Sequence, residues 1–297
     1  SEMKLIENSA SRINLDDFYD KVATVAHNCY QVKDKDHESN ILFVKRLIDS
    51  RHLAMVEHFR FVFSLSEEQF VRFEKEHCPF YTLVNCKGHY LLGTSLRPII
   101  EHFDGCSCKK ENAKILLSAL PAEIQNLFPK EEILPPCCSL FDLEKNKDQI
   151  CEKAYEKLHF ETYHLITDRG VTHELVRHRV CSFAQESTRY CNYTKDKFEN
   201  SLTFMKPLGY EEHKETYDTF YKACEEAYFK LIEEGCRPDE ARSVLPNSLN
   251  ASIMVTCSLE EWKIIFALRM DEHAHPDIRR VTKLVHDDMV QRGLLHD

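Results

Sequence analysis

Along residues 217–232, Tyr217, Phe220, Tyr221, Cys224, Tyr228, Leu231 and Ile232 recur three and four apart, the spacing that puts side chains on one helix face. Gly235 follows where such a helix needs a residue tolerant of left-handed backbone, so the stop is written into the chain. Helices are also predicted over residues 16–30, 40–51, 66–76 and 149–157. Strict alternation marks two strands with one buried face, at residues 59–65 and 160–166. Residues 90–92 read as a further strand, Gly93-Thr94-Ser95 as a turn, and residues 96–103 as a helix capped by Ser95, with Pro98 in its first turn. Asp168-Arg169-Gly170 predicts a second turn, leading into a helix over residues 171–177. Pro238 opens a helix at its first position and residues 249–256 are strand-like. Ser258-Leu259-Glu260-Glu261 has the form of a capping box, and a last amphipathic helix covers residues 276–292.

Between residues 104 and 148 the period fades. The composition turns to Lys, Glu and Asn with Pro121, Pro129, Pro135 and Pro136, as expected for a partly helical insertion. No internal repeat or regular β-α alternation is present. The expected class is therefore α+β: mixed helices packed on a central, mostly antiparallel sheet, with no Rossmann fold, in one domain over residues 1–297.

Composition narrows the setting. A chain of 297 residues that is 43% hydrophobic and 10% aromatic can build a large core. Apolar runs fall far short of the roughly 20 residues that cross a bilayer, and no signal pattern opens the chain, so a cytoplasmic location is the default expectation. Ser1-Glu2 ahead of Met3 reads as the remnant of a cleaved tag. Thirteen cysteines, an odd number in a chain without a secretion signal, read as mostly reduced packing residues. Neither Cys106/Cys108 nor Cys137/Cys138 has zinc-site spacing, so no metal is expected. A net charge of −10 and a pI near 5.9 argue against general nucleic-acid binding.

Against that acidic background, Arg177-His178-Arg179 is followed within fourteen positions by Ser187, Arg189 and Tyr190. The bland reading is a solvated basic helix end. The donors Ser182, Gln185, Ser187 and Thr188, expected in a loop and interrupted by Phe183 and Tyr190, suit instead a planar phosphorylated ligand: rings stack, and hydroxyls and guanidinium forks hold phosphate. Trp262, Ile265, Phe266 and Arg269 share one helix face, which puts a guanidinium on an apolar stripe. It needs a partner there, either an internal carboxylate or a ligand anion. Arg242 alone is no more than a helix-start arginine. His52, Glu57 and His58 lack the i, i+4 spacing of a zincin, and His273 and His275 have no evident third ligand. No glycine-rich phosphate loop or serine nucleophile elbow exists, and the chain has only seven glycines.

Arg177-His178-Arg179, seven residues, then Ser187 resembles the signature of the flavin-dependent thymidylate synthases. His52-Leu-Ala-Met-Val-Glu57-His58 is similar to that family's His-x-Ser/Thr-x-x-Glu-His segment. Glu240-Ala-Arg242-Ser-Val-Leu-Pro246 resembles its Ala-Arg-x-Val-Leu-Pro element, and Trp262 to Arg269 with His275-Pro276-Asp277-Ile278-Arg279 resembles its C-terminal region. The resemblance implies a homotetramer with FAD between subunits that converts dUMP to dTMP, with methylenetetrahydrofolate as carbon donor and NADPH as reductant. It implies FAD contacts from His52, Ala54, Arg177, His178, Arg179, Gln185 and Ser258. It implies dUMP contacts from Glu174, Gln185, Glu186, Ser187, Thr188, Arg189, Arg242 and Arg269, with Arg269 the catalytic residue that stabilises negative charge on the uracil. Cys181 and Cys191, beside the motif, are packing residues on this reading. The chain departs from the family pattern at Ser258 and Ile264, where asparagines are frequent, at Glu260 in place of Arg, and at Glu174 in place of Gln. The rival readings are a nucleic-acid-binding module using the segment from Arg177 to Arg189, and a metal-dependent hydrolase built on the scattered His and Cys.

Overall fold

A computed structural model describes residues 3–30, 36–185 and 201–296, with the side chains of residues 29 and 30 left aside. The chain opens with β1 (Lys4–Ile6) and β2 (Ser9–Arg12), then α1 (Phe18–Tyr30) and α2 (His37–Asp49). β3 (Arg60–Leu65) runs into α3 (Glu67–Glu76), where Ser66 and Gln69 form a reciprocal capping box. The hairpin β4 (Thr82–Cys86) and β5 (His89–Ser95) leads to α4 (Leu96–Phe103), α5 (Ser107–Leu117), α6 (Ala122–Gln125) and the short β6 (Ser139–Leu140). There follow α7 (Glu152–Leu158), β7 (Phe160–Asp168), α8 (Arg169–Leu175), β8 (Ser182–Gln185) and β9 (Thr203–Met205). The chain continues through α9 (Lys214–Glu233), α10 (Pro238–Ala241), β10 (Asn250–Ser258), α11 (Leu259–Arg269) and α12 (Pro276–Gln291).

The α+β class holds, and the strands divide between two four-stranded antiparallel sheets. One has the order β2-β7-β10-β8, the other β4-β5-β3-β6, while β1 and β9 form a separate parallel pair. Two main cores form between the sheets and the helices, and each takes residues from both sheets. Phe18, Tyr19, Val22 and Val25 of α1 pack with Phe61, Phe63, Leu92, Leu96 and Leu116 in one core. Tyr163, Leu165, Ile253 and Val255 pack with Trp262, Ile265, Val281 and Val285 of α11 and α12 in a second. A third, smaller core lies under α9, where Phe204 stacks on Tyr221 with ring centroids 4.5 Å apart.

Three sequence expectations need correction. Gly93-Thr94-Ser95 is not a turn: β5 continues through Ser95, and Gly93 is small because a Cβ there would come within 3.0 Å of Leu158 Cδ2 on α7. Asp168 does not turn the chain either; it ends β7 and caps α8 directly, its Oδ1 accepting the Val171 N–H at 2.7 Å. Ser182 and Gln185 lie in β8 rather than a loop, paired with Thr256 and Ile253 of β10. The remaining boundaries agree within a few residues, and Gly235, at φ +93°, stops α9 as expected. Every cysteine whose side chain is described is a free thiol, and Cys181 packs against the second core.

The two sheets meet over Glu161 of β7, which is 2% exposed. Burial alone would raise its pKa, but hydrogen bonds from His159 and Arg292 outweigh that and hold it at about 2. Arg12 on β2 donates to the other carboxylate oxygen at 2.9 Å. A carboxyl depressed in this way stabilises the fold above its ordinary value near 4.5, and the contribution disappears as pH falls toward 2. Glu161→Gln, which leaves two guanidinium groups facing a neutral amide, is expected to lower stability by roughly 3 kcal/mol at pH 7. The loss should shrink as the solution is acidified below pH 4.5; urea denaturation across that range checks it, and a pH-independent loss would contradict the assignment.

Candidate functional site

α8 and α11 leave opposite ends of the β7/β10 ladder and bring Glu174, His178 and Arg269 together. Arg269 is the last residue of α11. Its Nε donates to His178 Nε2 at 3.0 Å, its Nη2 to the Glu174 backbone oxygen at 3.4 Å, and its Nη1 lies 3.6 Å from Glu174 Oε2. Accepting from Nε requires the His178 ring to be unprotonated at Nε2. Burial, and secondarily the Arg269 charge, lower its pKa in agreement with that role. The expected apolar stripe is real, since Trp262, Ile265 and Phe266 are buried. Arg269 itself is not sealed in the core: the helix ends there and the side chain keeps 25% of its exposure.

Gln185, at the end of β8, donates to Thr172 Oγ1 on α8 at 2.8 Å. Behind β8, Asn28 donates to the Ala184 carbonyl at 3.3 Å and receives the Ser252 hydroxyl, which also meets His164 Nε2. Asn28, His164, Thr172 and Ser252 were missed in sequence. The signal available for Thr172 and Ser252 was a polar residue among apolar neighbours on a buried face, which by itself marks no site.

His52 and Ala54 are exposed. Ala54 starts the turn Met55–His58, which packs against α1 and β8. His58 is fully buried, held neutral by desolvation with a pKa of about 3, and faces Thr256 Oγ1 at 2.6 Å; Thr256 in turn meets Thr162. That arrangement joins β7, β10 and the turn, and Glu57 pairs with Arg97 at 2.9 Å. Arg177 and Arg179 are exposed, and neither forms an ion pair among the described residues. Arg179 lines a cleft of about 390 Å³ together with Arg60, Arg97, Phe80 and Phe160.

Two expected residues stand apart from the cluster. Ser258 caps α11 by accepting the Glu261 N–H at 3.1 Å, a helix length of about 16 Å from Arg269. Arg242 is exposed at the end of α10, in the turn whose Leu245 carbonyl takes a hydrogen bond from Arg169 at 3.2 Å. Glu186, Ser187, Thr188 and Arg189 lie outside the described residues, as does Cys191.

Residues 145–292 match the family model described as thymidylate synthase complementing protein. A flavin-dependent thymidylate synthase of Pyrococcus furiosus is 32% identical over 158 residues, 51% of this chain and 64% of that protein. A protein of the same description from Geobacter sulfurreducens is 34% identical over 111 residues, 37% of this chain and 47% of the relative. One from Sulfurisphaera tokodaii is 37% identical over 113 residues, covering 38% and 43%. The chain thus spans between about two fifths and just under two thirds of the length of these relatives. The β4-β5-β3-β6 sheet lies wholly before the family match begins.

The His178 and Arg269 contact makes a spectroscopic prediction. Histidine-resolved NMR titration should find His178 below the ordinary value of 6.5, and Arg269→Met should raise it only part of the way back, because burial is the larger cause. An unchanged His178 titration in the variant would show that the two side chains do not meet in solution.

Proposed function

The chain belongs to the thymidylate synthase complementing protein family over residues 145–292, and from that premise we propose that it is a flavin-dependent thymidylate synthase, an enzyme that methylates dUMP to dTMP. Methylenetetrahydrofolate is the proposed carbon donor and NADPH the reductant. FAD, when bound, would carry the redox chemistry of the reaction. The observation that carries the reading is the Arg269 to His178 hydrogen bond, which joins the Arg-His-Arg motif to a segment 91 residues away around one cation.

On this reading Arg177, His178 and Arg179 hold the flavin, with His52 and Ala54 beside it. The support is two exposed guanidinium groups without ion pairs among the described residues, next to Val176 and Val180, whose apolar side chains are 38% and 71% exposed. Diphosphate oxygens and a flat ring fit such a mixture. Gln185 is assigned to both flavin and nucleotide; its bond to Thr172 fixes the orientation of its amide. Glu174, Glu186, Ser187, Thr188, Arg189 and Arg242 are assigned to the nucleotide. Ser258 is retained as a flavin contact only through its backbone, since its hydroxyl already caps α11.

Arg269 is the proposed catalytic residue, placed to stabilise negative charge that develops on the uracil. His178 orients this guanidinium through a neutral acceptor and so leaves its positive charge intact. A homotetramer with sites shared between subunits completes the proposal, supported by Ile264 and Leu268, 46% and 58% exposed on α11. No described helix is long and apolar enough to cross a membrane, and a cytoplasmic setting is part of the proposal. Residues 104–148 are proposed as an insertion on the catalytic domain. No observation favours the nucleic-acid-binding reading.

The test is direct. Purified protein should take up FAD with its visible absorbance band and convert dUMP to dTMP when given NADPH and methylenetetrahydrofolate. Arg269→Ala should lower turnover by about 10²-fold, on the scale of losing one transition-state donor, with little change in melting temperature. Retention of full turnover in that variant, or failure to bind both FAD and dUMP, would refute the proposal.

A further inference from the structure

The seam between the two four-stranded sheets encloses a second cavity of about 450 Å³, within the size range of small-molecule sites. It shares no lining residue with the Glu174, His178, Gln185 and Arg269 cluster. Its charges are unbalanced. Arg12, Lys21, Arg60, His159 and Arg292 face one buried carboxylate, Glu161, while Asp16, Asp142 and Glu144 stand at the exposed rim, where Glu144 pairs with His159 at 3.0 Å. Glu161 is already committed to Arg12, His159 and Arg292.

Lys21 and Arg60 are left over. Neither side chain has a hydrogen bond or ion pair among the described residues, and the buried Arg60 Nε has no acceptor. The Arg60 guanidinium lies 3.9 Å from the centroid of the Phe160 ring, with Phe59 and Phe141 also on the cavity wall. Burial pushes Lys21 down to about 8 and Arg60 down from its ordinary value, with Glu161 and Glu57 opposing the respective shifts. A guanidinium nevertheless keeps its proton in proteins, so an unpaired cation persists there and calls for an anion.

We propose that this cavity binds a small phosphate monoester with a planar body, its phosphate held between Lys21 and Arg60 and its ring against Phe160. A tetrahedral dianion can engage an ammonium and a guanidinium fork together, which a single carboxylate does less well. The site is built at the junction of the sheet that lies before the family match and the sheet whose strands β7, β8 and β10 fall within it, so it depends on both layers.

Calorimetric titration of the full chain with phenyl phosphate, and with benzoate for comparison, tests the assignment. Phenyl phosphate should bind more tightly than benzoate, and Lys21→Met and Arg60→Met should each weaken it at least tenfold while Arg269→Ala leaves it unchanged. Absence of phenyl phosphate binding, equal or tighter binding of benzoate, or wild-type affinity in Lys21→Met overturns the proposal. So does loss of affinity on Arg269→Ala, which would put the probe in the proposed nucleotide site instead. Thermal melting separates lost binding from lost fold: should Lys21→Met unfold, Lys21→Gln takes its place under the same criteria. Arg60 also borders the Arg179 cleft, so Lys21 is the decisive position.

Discussion

The antiparallel ladder of β7 against β10, running from the Phe160 and Ser258 pair to the Asp168 and Asn250 pair, is the constraint from which the site follows. Nine paired positions span about 27 Å at the usual rise per residue. Because the strands are antiparallel, the helix after each departs from opposite ends of that ladder. α8, at about 10 Å, and α11, at about 16 Å, each return over the sheet, and together they cover its length. Their C-terminal ends therefore meet. Arg269 closes one helix, while Glu174 and the turn to His178 close the other, and a cation at two carbonyl-rich helix ends is electrostatically favoured. The register of one strand pair thus sets which residues face one another 91 positions apart.

Strong periods and specific caps made much of this legible. Helices such as Lys214–Glu233 and Leu96–Phe103 carry an apolar face together with a Gly stop or a Ser cap, so the local chemistry and the tertiary burial agree. The strands β1, β2, β4 and β9 were not legible because three to five residues contain too few alternations to rise above loop composition. Gly93 shows the deeper difficulty. A glycine beside Thr and Ser is good turn chemistry, and only the approach of Leu158 from a distant helix explains why a small residue stands inside a strand. The division into two sheets was hidden for the same reason, since alternation reports that a strand has a buried face and says nothing about which strands share it.

At the site, charge was easier to read than position. Arg269 could be recognised as a cation needing a partner, because the three apolar residues on its stripe are buried and a fourth position carrying a guanidinium is anomalous. Its partners could not be read from spacing, as His178 and Glu174 reach it only through the ladder. His52, Glu57 and His58 show the converse. Three polar residues close in sequence invite a metal site, yet the fold gives His58 to Thr256 inside the core, pairs Glu57 with Arg97 and leaves His52 exposed. Closeness along the chain counts for little where successive residues of a turn point in different directions.

The Arg269 arrangement also explains how a strongly charged side chain can stay available, as the proposed function requires, without wrecking the fold. Full burial beside a tight carboxylate would cancel its charge, and full exposure would let water screen it. The Glu174 carboxylate instead stands at 3.6 Å, outside hydrogen-bond length, and the direct bonds go to a neutral imidazole and a backbone carbonyl. Orientation is supplied by groups that bear no net charge, while the one nearby anion is held loosely. On the proposed function an arriving anion would meet a guanidinium already aimed and still positive, and would compete with a weak partner rather than a saturated ion pair. At Glu161 the chain does the opposite, surrounding a carboxylate with three donors at bonding distance, and that difference in satisfaction separates a structural charge from one available for chemistry.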